Sequence, residues 1–226
     1  MLLATQTKQP KQIWPQTIPE CPICADMKFV IPVTNGVSGR AVPCRCYEEV
    51  LAAQREQALL QNGRLPPGLQ RMTFQTFTAA NRHQSIAQAR CREFARNPQG
   101  WLLLAGKSGS GKTHLAAAVA NARLAQRQPV SFSNTADLLD TIRSAYDSHT
   151  YDKTFHAICE VPLLALEDLG HENRTPWSQE KLYQLLSHRS LHRLAMVMTT
   201  AYEVTQLDGR IAGHILHNPD CEILTL

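Results

Sequence analysis

The chain has 226 residues, 43% of them hydrophobic, and a formal net charge of +4. This length suffices for one ordinary domain and a smaller module, and the apolar fraction excludes an intrinsically disordered chain. The small charge permits a nucleic-acid partner without indicating one. The sequence has no apolar run of 18 residues and no signal-peptide pattern, so we expect a cytoplasmic protein without a membrane partner. Seven cysteines, an odd number, favour a metal site in a reducing compartment over a disulfide framework.

Changes in composition divide the chain into four zones. Residues 1–20 are polar and contain three prolines, which predicts a loosely ordered arm. Residues 21–61 combine four cysteines with a charged helical stretch from about Tyr47 to Gln61. The sequence NGRLPPGLQ then breaks the pattern, and a linker is predicted over 62–77. Residues 78–226 are predicted to form the main domain.

The first motif is a set of four cysteines in a C-x₂-C…C-x-C pattern: Cys21, Cys24, Cys44 and Cys46. Between the two pairs, Asn35, Gly36 and Gly39 provide enough turn chemistry for a hairpin. Four thiolates that converge from a turn and a hairpin fit tetrahedral Zn²⁺, and a four-sulfur site is structural. The metal would stabilise a region too small to fold on apolar burial alone. A redox pair or unrelated free thiols are the alternatives.

Short apolar runs alternate with helical periods from residue 101 onward. Strands are predicted over 101–106, 129–134, 161–168, 194–201 and 221–226, and helices over 111–126, 135–146, 178–188 and 203–214. Strands separated by helices of this length predict right-handed βαβ crossovers. We therefore expect an α/β fold with a parallel five-stranded sheet that is covered on both faces.

The segment GKSGSGKT at 106–113 fits G-x-x-x-x-G-K-[ST] at every fixed position, between a predicted strand and a predicted helix. Its glycines let backbone N–H groups surround an anion, and the following helix adds unpaired N-terminal donors. Lys112 is expected to reach the β- and γ-phosphates, and the Thr113 hydroxyl to bind Mg²⁺. The alternative, a glycine-rich turn that binds nothing, is disfavoured by this context. The expected nucleotide contacts are Gly106, Ser108, Gly109, Ser110, Gly111, Lys112, Thr113 and His114.

The third predicted strand ends in two adjacent acids, Glu167 and Asp168. Glu167 is expected to complete the Mg²⁺ shell, and Asp168 to orient or deprotonate the attacking water. A pair of solvated acids at a strand end is the alternative, and the presence of the glycine-rich motif at 106–113 makes this alternative less favourable. The two motifs together predict an ATPase that uses ATP and Mg²⁺.

These motifs resemble those of the bacterial helicase-loader ATPases of the DnaC/DnaI type and of the related IstB-type transposition helpers. The similar segments are RLPPG at 64–68, MTFQTF at 72–77, GKTHLA at 111–116, DLL at 137–139 with Arg143, LLALEDLG at 163–170, and 177–189. The resemblance implies a P-loop AAA+ (ASCE) core, preceded by a zinc-binding module that binds a replicative DNA helicase. Because the sequence stops at the fifth predicted strand, we expect no C-terminal lid. It also implies single-stranded DNA as a partner, and an ATP-bound homo-oligomer whose subunits complete one another's sites.

Three positions depart from the family pattern. The family usually has Asp at Glu167, and the extra methylene displaces the carboxylate by roughly 1.5 Å, which affects hydrolysis more than nucleotide binding. Its fourth strand usually ends in Asn, whereas this one ends Thr-Thr-Ala, so Thr200 is the candidate γ-phosphate sensor. In the box at 207–214, Arg210 matches the arginine that acts across a subunit interface. His214 stands where a second arginine is common, and a solvated helix arginine is the alternative for Arg210.

Two basic clusters are candidates for contact with the phosphates of a single strand. They are Arg90, Arg92 and Arg96, and His188, Arg189, His192 and Arg193. Neither cluster is interleaved with aromatic residues, so we expect backbone contacts without base stacking. Solvated helix faces explain both clusters equally well.

The sequence thus favours an ATP-binding and ATP-hydrolysing helicase loader in replication initiation. An IstB-type helper of a transposase is one alternative, although such helpers usually carry a helical N-terminal domain in place of the cysteine module. A nucleotide-dependent assembly switch with little turnover is another, and both Glu167 and Ala201 support it.

Overall fold

The computed structural model describes residues 20–34, 36–48, 50 and 65–226. The chain divides into two compact units, Met1–Arg55 and Glu56–Leu226. Most of the predicted N-terminal arm and of the helical stretch from Tyr47 to Gln61 lies outside the described residues. In the part of the chain that the structure describes, no helix combines the length and the hydropathy that a membrane span requires.

The N-terminal unit is built on a small hairpin. Phe29–Val30 pairs antiparallel with Val42–Pro43, and nearer the turn Val33–Thr34 pairs with Val37–Ser38. Gly36 has a φ of 76°, which a left-handed turn position requires. The hairpin predicted between the two cysteine pairs is therefore confirmed.

The second unit contains a parallel sheet of five strands. They are β1 (Trp101–Ala105), β2 (Val130–Asn134), β3 (Leu163–Glu167), β4 (Ala195–Thr200) and β5 (Cys221–Thr225). Their spatial order is β2-β3-β4-β1-β5, and every neighbouring pair is parallel. The predicted five-stranded parallel sheet is confirmed. The three central strands are almost continuous apolar runs, because both of their faces are covered.

Six helices of more than one turn cover this sheet in the described part of the second unit. They are α1 (Arg82–Arg96), α2 (Lys112–Ala125), α3 (Thr135–Asp147), α4 (Tyr151–Glu160), α5 (Pro176–Leu191) and α6 (Gly209–Leu216). Single turns form at Pro67–Gln70 and Val204–Gln206. α4 has no counterpart among the helices predicted from the sequence. The helix predicted over 203–214 is divided into Val204–Gln206 and α6, because Asp208 caps α6 by accepting a hydrogen bond from the N–H of Arg210.

The two faces of the sheet carry separate apolar clusters. Leu102 and Leu104 point towards α1 and α2, whereas Leu103 points to the other face, where α3 to α6 pack. This alternation is the period-2 pattern of a strand. Leu65 and Phe74, which fall in the predicted linker, are buried in the cluster of α1 and α2.

Candidate functional site

β1 leads into the loop 106–111, which turns the chain into α2. Gly111 precedes the helix with a φ of 94°, and a Cβ there would lie 2.7 Å from Cε2 of Phe77. Both the backbone conformation and the close approach therefore require glycine. The Nε2 atom of His114 lies 3.0 Å from the Thr73 carbonyl oxygen and 3.2 Å from the Thr76 hydroxyl. The residues before α1 thus pack against the start of α2.

The start of α2 presents several polar donors without acceptors. Lys112, Thr113 and His114 are its first three residues, so the helix itself provides no acceptor for their N–H groups. Neither a backbone oxygen nor a capping side chain elsewhere in the described residues accepts from them. The Ser110 hydroxyl is also buried without a hydrogen-bond partner. Such a set of donors at a helix N-terminus fits a phosphate group.

Lys112 supplies a buried ammonium group to this loop. Its side chain is 6% exposed, and Nζ donates to the carbonyl oxygens of Gly106 at 2.8 Å and Lys107 at 2.9 Å. Burial lowers the pKa of Lys112, and the charges of Asp168 and Glu167 oppose that shift. The positive charge therefore lies between the loop and the two acids.

Glu167 and Asp168 stand at the carboxyl end of β3, at the same sheet edge as the loop after β1. Burial raises the pKa of Glu167, a hydrogen bond with the Thr113 side chain lowers it, and the charge of Asp168 raises it further. Asp168 has a φ of 55°, and its N–H donates to the Thr199 hydroxyl at 3.0 Å. The structure thus brings together Thr113, Lys112 and both acids. Thr113 and Glu167 are the oxygen ligands that Mg²⁺ would use here.

Asn134 also lies in this site, although it is not among the site residues predicted from the sequence. It ends β2, the strand next to β3, and its Nδ2 lies 3.4 Å from Oδ2 of Asp168. The adjacent Thr135 hydroxyl donates to the Glu167 carbonyl oxygen at 2.7 Å. The sequence did contain a signal for this contact. Asn134 and Thr135 are polar and come at the end of a predicted strand, and the carboxyl ends of parallel strands meet at one edge of a sheet.

Thr200, the candidate sensor, is fully buried at the end of β4. Its hydroxyl donates to the Leu169 carbonyl oxygen at 2.8 Å and accepts from the N–H of Tyr202 at 3.1 Å. The hydroxyl hydrogen is therefore engaged in fixing the turn after Asp168. A contact with a γ-phosphate would require this bond to break, and the sensor role stays a prediction.

Arg210 lies on α6 with about half of its side chain exposed. Its NH1 donates to Oε2 of Glu180 at 3.0 Å, and the guanidinium lies 5.4 Å from the Tyr183 ring centre. The role predicted for Arg210 concerns the nucleotide of a neighbouring subunit, so it stays a prediction. His214, four residues later, shares a hydrogen bond of 2.9 Å with the Ser187 hydroxyl.

The four N-terminal cysteines converge on one point. All their Sγ atoms lie within 4.8 Å of one another, with 3.8 Å from Cys21 to Cys44 and 3.5 Å from Cys24 to Cys46. Tetrahedral Zn–S bonds of about 2.3 Å place sulfur atoms about 3.8 Å apart. Hydrogen bonds from the backbone of Cys24 and Ile23 lower the pKa of Cys21 to about 7, whereas the side-chain hydrogen bond with Cys21 raises the pKa of Cys46, so the thiols do not ionise equally. The cluster therefore fits Zn²⁺.

In the two basic clusters, some of the charged side chains are buried or already paired within the chain. Arg189 is fully buried, and its guanidinium donates to three carbonyl oxygens: Cys159 at 2.8 Å, Val161 at 2.9 Å and Ala195 at 2.6 Å. Arg90 forms a two-point ion pair with Glu222, and Arg92 donates to the Phe74 carbonyl oxygen. The interpretation of Arg189 as a phosphate contact was wrong, because the side chain is inside the domain.

Aromatic and basic side chains do interleave elsewhere, at a place that the sequence analysis of the two basic clusters did not cover. We call Tyr146, Tyr151, Phe155 and Trp177 the aromatic ladder. Tyr146 stacks on Tyr151 with ring centres 4.1 Å apart, and Tyr151 stacks on Phe155 at 5.6 Å. Lys181 Nζ lies 4.9 Å from the Tyr151 ring centre, and the Arg143 guanidinium lies 4.6 Å from that of Trp177. The ladder is assembled from α3, α4 and α5, which are not contiguous in sequence.

Comparisons with known proteins agree with this geometry. The family of IstB-like ATP binding proteins matches residues 48–216. The replicative helicase loader DnaC of Escherichia coli (strain K12) is 25% identical over an alignment of 190 positions that covers 72% of this chain and 77% of that protein. The replicative helicase loader DnaI of Bacillus subtilis (strain 168) is 22% identical over an alignment of 182 positions that covers 76% of this chain and 58% of that protein.

The fold is also found among solved structures. A crystal structure of the DnaC helicase loader superposes with a TM-score of 0.64 and 23% sequence identity, and covers 71% of this chain and 99% of that one. The AAA+ α/β fold expected from the sequence is therefore confirmed. Because the family match covers more than half of the residues, the chain belongs to the family of IstB-like ATP-binding proteins.

Proposed function

We propose that this protein is an ATP-hydrolysing helicase loader that binds a replicative DNA helicase through its cysteine module and single-stranded DNA through its core. The observation that carries this proposal is the set of unpaired donors at the start of α2, placed beside Glu167 and Asp168. Membership of an ATP-binding family and similarity to two helicase loaders support it.

In this proposal the loop 106–111 and the start of α2 bind the phosphates of ATP. The N–H groups of Lys112, Thr113 and His114 and the Ser110 hydroxyl donate to phosphate oxygens, and the Lys112 ammonium neutralises their charge. Bound Mg²⁺, held by Thr113 and Glu167, supplies further neutralisation of the developing charge. Every donor in this set is buried or fixed by secondary structure, so little reorganisation is needed on binding.

Asp168 orients the attacking water in this proposal, and Asn134 controls Asp168. The Asn134 amide donates to Oδ2, one of the two carboxylate oxygens, so it competes with water for the same group. Because Asn134 belongs to the neighbouring strand, this contact would hold the Asp168 carboxylate in place at the edge of the sheet.

The cysteine module offers a surface for the helicase. Among the described residues of the N-terminal unit, several large apolar side chains are exposed, and Met27 and Ile31 are 74% and 60% exposed. Apolar groups exposed in this number on so small a unit are typical of a protein-binding surface. The cysteines would fix the hairpin that presents these side chains.

Single-stranded DNA is proposed to bind at the aromatic ladder. Bases stack on aromatic rings, and neighbouring cations attract phosphates. Tyr146, which is 42% exposed, is the ring most open to a base, since the other three pack against the core. Lys181 and Arg143 are the cations beside these rings. Arg210, half exposed on α6, is the residue proposed to complete the site of a neighbouring subunit in an ATP-bound homo-oligomer.

The helicase assignment is tested by binding of the full chain to the host's replicative helicase in sedimentation experiments. We expect Met27→Ser/Ile31→Ser to weaken the complex at least tenfold with unchanged zinc content, because the cysteines are untouched. The matched control is Ile86→Ser, which removes an exposed apolar side chain from α1 and should bind as the wild type does. Equal binding by all three proteins would contradict the assignment.

A second candidate function is an assembly switch with little turnover. The engaged hydroxyl of Thr200 and the lack of an amide at Ala201 favour it, since neither side chain offers a free donor to a γ-phosphate. A steady-state ATPase assay separates the two candidates. The IstB-type transposition helper is the remaining alternative, and a transposase gene beside that of this protein would favour it.

A further inference from the structure

Glu172 is a buried carboxylate near the nucleotide site, and nothing described so far gives it a role. It lies in the segment between β3 and α5, and its side chain is 6% exposed. The salt bridges among the described residues do not include it. A carboxylate is costly to bury without a cation, so the hydrogen bonds that it accepts must offset that cost.

Two donors meet the Glu172 carboxylate from different directions. Oε2 accepts a hydrogen bond from the N–H of Gly170 at 2.7 Å, and Oε1 accepts one from Nε2 of Gln179 at 3.3 Å. Gln179 belongs to α5 and is itself buried, so it holds the carboxylate from the side of that helix. Glu172 therefore connects α5 to the turn that follows Asp168.

The turn after Asp168 has a backbone conformation that needs such support. Asp168 has a φ of 55°, which is uncommon for a residue other than glycine. Gly170 has a φ of 97°, and a Cβ there would lie 2.7 Å from the nearest side-chain atom. The Thr200 hydroxyl holds the Leu169 carbonyl oxygen, and the Glu172 carboxylate holds the next N–H along the chain. These two bonds fix the backbone directly after Asp168.

We propose that Glu172 is a positioning residue for Asp168, because it fixes the turn that aims the Asp168 carboxylate at the attacking water. This inference rests on the proposed function, in which Asp168 orients that water. Glu172 acts only through the turn, since both of its carboxylate oxygens are engaged inside the domain. A displacement of a reacting group by 1 Å can cost about a hundredfold in rate, whereas phosphate binding by the loop 106–111 does not depend on this turn.

The test compares variants of Glu172 in the full chain by steady-state ATPase assays and ATP-binding calorimetry. Glu172→Met keeps most of the side-chain volume and removes the acceptor. Its kcat should fall at least about tenfold, while the Kd for ATP changes by less than about twofold. Glu172→Gln should retain kcat within about twofold, because its amide oxygen still accepts from Gly170. Its NH₂ group can donate to the Gln179 oxygen, which is buried without a partner, once the Gln179 amide rotates.

Arg189→Met is the matched control for a general loss of stability. Arg189 also makes buried hydrogen bonds, but one of them is to Ala195 at the start of β4, the opposite end of that strand from Thr200. Below its unfolding temperature, this variant should keep the kcat of the wild type. If Glu172→Met folds poorly, Glu172→Asp provides the same comparison, because its shorter side chain withdraws from the Gly170 N–H and keeps the charge.

Hydrogen exchange at the Gly170 amide gives a readout that does not depend on turnover. Exchange should be faster in Glu172→Met than in the wild type and in Glu172→Gln. Unchanged kcat in folded Glu172→Met, equal losses of kcat in the Met and Gln variants, or unchanged exchange would each overturn the proposal. If the wild type hydrolysed no ATP, the proposed function would fail, and the exchange rates would still decide whether Glu172 holds the turn.

Discussion

Arg189→Met tests the strongest disagreement between the sequence and the structure. The sequence places Arg189 in a basic cluster that could contact nucleic acid, whereas the structure buries it completely between α4, α5 and β4. Methionine retains most of the apolar contacts of the side chain and removes the guanidinium. The substitution should therefore lower the free energy of unfolding and leave DNA affinity unchanged.

The magnitude follows from the three carbonyl oxygens that Arg189 satisfies, those of Cys159, Val161 and Ala195. A buried polar group that loses its partner costs about 1–3 kcal/mol. Removal of a buried charge recovers part of its desolvation energy, so the lower end of this range applies. With three carbonyl oxygens left unpaired, the free energy of unfolding should fall by about 3 kcal/mol. This is a large fraction of the roughly 5–15 kcal/mol that stabilises a typical domain.

The assay is urea denaturation followed by circular dichroism, with anisotropy of a labelled DNA single strand measured in parallel. With a slope of about 2 kcal/mol per molar urea, the midpoint should fall by about 1.5 M. Arg193→Gln, which alters an exposed neighbour, should change the stability by less than about 0.5 kcal/mol. An unchanged midpoint combined with weaker DNA binding by Arg189→Met would refute the reasoning.

Three further predictions concern the nucleotide site. Lys112→Ala should abolish or greatly weaken ATP binding in calorimetry and leave the zinc content unchanged, because it removes the buried ammonium group beside the loop that would hold the phosphates. Normal ATP binding by this variant would disprove the assignment of the nucleotide site. Glu167→Asp should lower steady-state ATP turnover more than nucleotide affinity, because the shorter side chain withdraws the carboxylate from Thr113. A marked gain in turnover would instead favour the assembly switch. Because burial raises the pKa of Glu167 and Mg²⁺ binds its ionised form, the affinity for Mg²⁺ should fall with decreasing pH at a higher pH than for an ordinary glutamate.

The nucleotide site was the most predictable part of the molecule. The glycines of 106–111 and Lys112 are contiguous, and their geometry is set by a strand, a turn and a helix that are all local in sequence. The cysteine cluster was equally readable, since two short spacings and a turn restrict how four thiols meet. In both places, local backbone geometry nearly determines the chemistry.

The features that were missed or misread depend on packing between distant segments. α4 has a polar exposed face and only ten residues, and so short a helix does not repeat its hydrophobic pattern often enough to be recognised from the sequence. Asn134 reaches Asp168 only because β2 and β3 are neighbours in the sheet. Sequence proximity alone suggested that Arg189 shared a surface with His188 and His192, although its side chain points inward.

The amino-acid sequence by itself determined the α/β class, the phosphate-binding loop with its following acids, and the four-cysteine motif, because each is encoded in short spacings and regular periodicity. Only the tertiary structure decided which polar side chains meet. The aromatic ladder, the Asn134–Asp168 contact and the Glu160–His188 hydrogen bond all join residues from different elements. Their distances are set by strand order and helix packing, which no local pattern specifies.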